Sequence, residues 1–198
     1  MSHTEPLPFA KLMGVTIVSV APDLVVGELK VREDLCTRPA VLHGAKVGLC
    51  SVWMAELYAQ LRGLTRADAE QRLRASVLPN RAGEIERIRA AYGPIADKLV
   101  IEQAPFLDLT PEGYEALKQR ILDHWDELQA VADEVAGPET FASLLQRAGG
   151  ATTPAGLGLS DREVRDALRD SHYIRNRFTI IKLARILNLE MKGPKYGD

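Results

Sequence analysis

The sequence predicts a mainly α-helical protein, a multi-helix domain preceded by a β-hairpin, and three observations carry that reading. From Gly44 onward apolar residues recur at intervals of three and four, the period of helices with a buried face. Ahead of that point two β-branched runs, 15–20 and 25–31, flank Ala21-Pro22-Asp23-Leu24, a turn composition. The two patterns meet at Leu42-His43-Gly44, which predicts an arm and hairpin over 1–42 and a helical domain over 43–198.

Composition narrows the class of protein. A chain of 198 residues is long enough for one domain with a real core, or for one domain plus an appendage. With 46% apolar and 26% charged residues it reads as soluble and globular. A net charge of −2 argues against a dominating nucleic-acid or anionic-membrane surface. The arginines between Arg62 and Arg89 are interleaved with Glu and Asp, as on solvated helix faces. Cys36 and Cys50 do not make a disulfide framework, and residues 1–8 lack the regions of a signal peptide. No apolar run approaches the roughly 20 residues that span a bilayer. The expectation is a reduced, cytoplasmic protein with neither nucleic acid nor membrane as partner.

In chain order, the polar first eight residues read as a loose arm, and 9–13 as a helical turn ended by Gly14. In the second β-branched run Val25, Gly27, Leu29 and Val31 alternate with Val26, Glu28 and Lys30, so 15–31 is a hairpin. Such a hairpin is marginal alone and needs a sheet or helix to lean on. Residues 32–39 read as a loop, and no third strand is expected.

The helix opening near Gly44 has apolar residues on most sides from Val47 through Trp53 to Leu61, and Gly63 ends it. Cys50 belongs to its apolar side and reads as core. Thr65, with Asp68 three residues on, caps a helix running to about Ser76. Pro79-Asn80 interrupts; 84–92 is helical; Gly93-Pro94 breaks again; 95–103 is a further short helix. Thr110-Pro111 is a strong helix start. Beyond it Tyr114, Leu117, Ile121, Trp125, Leu128, Ala132 and Val135 form one seam, with His124 beside it as a surface residue. Gly137-Pro138 precedes a helix over 141–147, which Gly149-Gly150 terminates. After a Thr/Pro/Gly loop over 151–158, Ser160 and Glu163 make a capping box for a helix reaching about Ser171. A last helix spans 178–189. Arg175, Arg177, Lys182 and Arg185 form a basic cluster that could contact a phosphate or a partner, with Arg175 and Arg177 better suited to surface pairing.

Several blocks are more specific. His43-Gly44-Ala45-Lys46-Val47-Gly48 is followed by Met54-Ala55-Glu56-Leu57-Tyr58; Leu144-Leu145-Gln146-Arg147-Ala148-Gly149 leads through Thr153-Pro154 to Leu157-Gly158-Leu159; then come Ile174-Arg175-Asn176-Arg177-Phe178-Thr179-Ile180 and Leu183-Ala184. In this order and spacing, residues 43 to about 189 resemble the C-terminal helical domain of bacterial sn-glycerol-1-phosphate dehydrogenases. The resemblance implies the helical fold of the dehydroquinate synthase/glycerol dehydrogenase-like domains. It also implies NAD(P)H-dependent reduction of dihydroxyacetone phosphate to sn-glycerol 1-phosphate, hence a small phosphorylated substrate as partner. It implies a Zn²⁺ held by an Asp and two His, with His43 as the one ligand assignable here. A neutral imidazole at a helix mouth suits that role, since it can reach a cleft while the helix behind it stays packed.

Two departures limit this expectation. Residues 1–42 contain no GxGxxG phosphate loop in a βαβ unit, so NAD(P) is implied by the family while its binding domain is absent. The other two zinc ligands have no counterpart, so the zinc site is incomplete. The expectation is a dehydrogenase-like protein inactive by itself, with no catalytic residue assigned and assembly with further copies left open.

Residues 9 to about 44 are similar instead to the start of hotdog-fold acyl-CoA thioesterases of the phenylacetate-pathway type. Phe9-Ala10-Lys11-Leu12-Met13-Gly14, the hairpin, Arg32-Glu33-Asp34-Leu35-Cys36 and Val41-Leu42-His43-Gly44 carry that likeness. Ala45 replaces the family's second glycine, and the helical position near Val52, where its carboxylate is expected, is apolar. The two likenesses meet at one His-Gly, as in a chimera. A thioesterase-like fragment and a non-catalytic helical interaction module stand as the alternative readings.

Overall fold

The computed structural model describes residues 15–21, 24–29, 36–38 and 41–190. The helical turn expected over 9–13 and the arm ahead of it lie outside the described residues. The chain divides between Val47 and Gly48 into two compact units.

The first unit holds the predicted hairpin. Strands β1 (Val15–Ala21) and β2 (Leu24–Leu29) pair antiparallel from Val15↔Leu29 to Ala21↔Leu24, with a register shift between Ile17 and Ser19. A second antiparallel pair, β3 (Cys36–Arg38) with β4 (Val41–Leu42), stands where the sequence predicts a loop and no further strand. That pair is three residues against two, too short for a period-two pattern to register.

Most of the described chain is helical. Helix α1 (His43–Arg62) buries Leu49, Val52, Trp53, Ala55, Leu57 and Leu61. Its width of buried surface follows from apolar residues placed around most of the cylinder. Cys50 is exposed rather than core, because it precedes by two turns the point, Leu57, at which α1 enters the main apolar cluster. Helix α2 (Arg66–Ala75) opens on the predicted capping box: Asp68 N–H donates to Thr65 Oγ1 at 3.1 Å, and Thr65 N–H to Asp68 Oδ2 at 2.9 Å.

Helix α3 (Arg81–Tyr92) starts three residues earlier than predicted, because Asn80 caps it through Gly83 N–H at 3.0 Å. Gly93, at φ +48°, turns the chain through a 3₁₀ segment into α4 (Ala96–Glu102), and α5 (Ala104–Leu107) adds a short turn.

The long seam predicted from Thr110 is present, but on two helices, α6 (Pro111–Asp123) and α7 (Trp125–Glu134), separated by His124. Its seven apolar residues recur on average every 3.5 positions, while a straight helix turns every 3.6. One break resets the phase, so Tyr114, Ile121, Trp125 and Ala132 are all buried. His124 itself is exposed and bonds Glu127 Oε2 through Nδ1 at 2.9 Å, as expected of a surface residue.

Helix α8 (Pro138–Arg147) starts three residues before the predicted 141–147, with Pro138 at its first position, and Gly149, two residues past its end, takes φ +69°. Helix α9 (Asp161–Asp170) carries the second capping box and passes into a 3₁₀ turn, Ser171–Tyr173. The last helix, α10 (Ile180–Ile186), is shorter than the predicted 178–189 because Thr179 caps it and Asn188 turns out of it at φ +50°.

Two apolar clusters hold the second unit. One joins Leu57, Leu61, Leu73, Ile121, Trp125, Leu183 and Leu187 from α1, α2, α6, α7 and α10. The other joins Ile88, Ala96, Leu99, Leu107 and Tyr173. Among the described residues no helix is long and apolar enough to cross a membrane.

Candidate basic cavity of the helical unit

The second unit contains a cavity of about 500 Å³, lined by members or neighbours of both clusters. Its chemistry comes from three elements. The first turn of α3 brings Glu84 and, three residues on, Arg87. The 3₁₀ turn after α9 brings His172 and Tyr173, held by Gln103 Nε2, which donates to Tyr173 O at 2.9 Å. Helix α10 brings Lys182 and Arg185, one turn apart and therefore on the same face.

These side chains form one buried network. Arg185 donates to both Glu84 oxygens, Nη1 to Oε2 and Nη2 to Oε1, each at 3.2 Å. Tyr173 Oη donates to Glu84 Oε2 at 2.6 Å. Arg87 Nη1 lies 3.3 Å from Glu84 Oε1. The Arg185 guanidinium also donates to His172 Nε2, which fixes that nitrogen as an acceptor and the ring as neutral. Lys182 Nζ donates to His172 O at 2.6 Å and Arg175 O at 2.7 Å, and lies 4.6 Å from the centre of the Phe106 ring.

The proton affinities follow from that packing. Burial pushes His172 down from 6.5 to about 2, and the charges of Arg185, Lys182 and Arg87 add to it. Burial, then the nearby Arg185, lowers Lys182 to about 8. Burial alone would raise Glu84; the bonds from Arg185 and Tyr173 and the charges of Arg185 and Arg87 outweigh it and hold the carboxyl below its usual range. Tyr173 is pushed above its ordinary value by burial, then by its bond to Glu84 and that residue's charge. Arg185, despite burial, is raised by its pairing with Glu84.

The charge balance of the lining is therefore one-sided. Arg72, Arg81, Arg87, Lys182 and Arg185 face a single lining carboxylate, Glu84, whose oxygens are already bonded. Arg81 Nε is paired outside the lining with Asp108 at 2.7 Å, and Arg72 Nη1 donates to the carbonyls of Leu187 and Asn188 at 3.0 Å. An anion entering the cavity meets excess positive potential in a partly desolvated setting, where such attraction is strongest.

Of the residues singled out from sequence, Lys182 and Arg185 are brought together here, while Arg175 and Arg177 are exposed and lie outside the lining. Glu84, His172 and Tyr173 are additions. A Lys and an Arg three apart on the apolar run Ile180-Ile181-Lys182-Leu183-Ala184-Arg185-Ile186 are the signal that a buried partner was required. His43 is the first residue of α1, with its side chain outside the described residues. Among the described residues no group of three or more His, Cys, Asp or Glu is placed to hold a metal. The described strands form antiparallel pairs only. Comparison with family models, with curated proteins and with solved structures finds no match to this chain.

Proposed function

We propose that the helical unit is a substrate-side domain of the glycerol-1-phosphate dehydrogenase type and that its basic cavity holds a small phosphorylated ligand. The observation that carries this is the cavity's surplus of cations over a single, already bonded carboxylate, Glu84. A phosphate monoester offers acceptor oxygens that match guanidinium and ammonium donors. Arg87, half-exposed at the edge of the Glu84 network, and the third N–H of Lys182 are the donors best placed to turn toward it. The sequence blocks spread over 43–189 support the choice of a phosphorylated polyol as the ligand. This stretch of chain carries no Gly-rich phosphate loop, so it binds without turning over NADH or NADPH.

The test is calorimetric titration of the purified chain with glycerol 1-phosphate, with glycerol as the uncharged control and NADH fluorescence measured alongside. Saturable binding of glycerol 1-phosphate, none of glycerol, and a several-fold loss in Arg87→Gln are expected. Equal binding of glycerol, or an unchanged Arg87→Gln, would contradict the anion site. Saturable quenching of NADH would contradict the inactive reading.

A further inference from the structure

The cavity is larger and more apolar than a three-carbon phosphate requires. At about 500 Å³ it falls among sites that enclose drug-sized ligands, on the order of 300–1,000 Å³. Four of its five cations lie on α3 and α10, with Arg72 on α2, and Leu78, Leu107, Leu109, Leu117 and Ile186 give the same lining apolar surface. Two further lining side chains stand open to solvent, Val77 at 80% exposure and Phe178 at 41%. Phe106 joins the two regions: its ring carries Lys182 Nζ at 4.6 Å and stacks on Phe178 with centroids 6.5 Å apart.

Resting on the reading of this cavity as an anion site, we infer that it takes a phosphate monoester bearing an apolar chain, with the phosphate toward Arg87 and Lys182 and the chain along Phe106, Phe178 and Val77. Charge complementarity places the head, because four of the five lining cations come from α3 and α10. The apolar wall fixes the tail, because only a chain that leaves water gains from it. Each methylene buried against that wall raises affinity about three- to fourfold, so affinity grows with every carbon the tail adds.

The probe is octyl phosphate, held below its micelle concentration and titrated calorimetrically against the full chain beside glycerol 1-phosphate and octanol. Binding at least tenfold tighter than glycerol 1-phosphate is expected. Val77→Asp, at an exposed position where folding is little affected, should weaken octyl phosphate several-fold more than glycerol 1-phosphate, which feels the added charge but loses no apolar contact. Equal affinity for octyl phosphate and glycerol 1-phosphate overturns the inference and leaves the anion site standing. Octanol binding as tightly as octyl phosphate overturns both. An unchanged affinity of Val77→Asp for octyl phosphate overturns the placement of the tail.

Discussion

His172 shows how a single residue ties the cavity's electrostatics to the stability of the fold. Its ring is 5% exposed, sits 3.8 Å from the Tyr173 ring and accepts from Arg185, so it stays neutral in the folded chain. The unfolded chain protonates it at about 6.5, the folded chain only near 2. Between those values the unfolded state binds more protons, so the stability present above pH 6.5 is lost as the pH falls. The slope reaches about 1.4 kcal/mol per pH unit at its steepest. Denaturant midpoints of the helical unit should therefore drop between pH 7 and pH 5, and His172→Gln should flatten that drop. An equal slope in the variant would mean that the imidazole is solvated. Nothing in the sequence around Ser171-His172-Tyr173 announced this, because the ring's partner is Arg185, 13 residues further along the chain and itself paired with Glu84. Lys182 and Arg185 were legible, since charges on an apolar helix face require partners.

At the scale of elements, side-chain caps at Thr65, Thr110 and Ser160 set helix starts where the sequence predicts them, whereas the helices beginning at Arg81 and Pro138 start three residues before their predicted bounds. Thr65, Thr110 and Ser160 each cap a helix through a backbone N–H three residues on, as their spacing predicts. Thr65→Ala should cost about 1 kcal/mol in chemical denaturation, since it removes the hydroxyl that accepts from Asp68 N–H and donates to Asp68 Oδ2, while the backbone bond from Thr65 N–H stays. No measurable change would show that the frayed first turn contributes nothing. What sequence did not reveal were features set by tertiary phase or by very short pairing. The break at His124 keeps a seven-residue seam on the core and carries no Gly or Pro to mark it. The β3–β4 pair is below the length at which alternation can be read. The hairpin over 15–29, by contrast, was legible because its two runs are long enough to alternate around a Pro-Asp turn.

At the scale of the whole molecule, the fold class follows from the change of period at Gly44, and the chain divides five residues after Leu42, between Val47 and Gly48. His43 drew attention as the first residue of the helical region, yet the described polar network forms elsewhere, where α3, α10 and the turn after α9 converge on Glu84. That convergence joins residues 84, 172, 173, 182 and 185, so no local motif could disclose it. A crystal structure of the chain grown with glycerol 1-phosphate tests the account most directly. The account predicts phosphate density inside the cavity, within hydrogen-bonding distance of Arg87 or Lys182. Density at the His43 end of α1 with an empty cavity would contradict it.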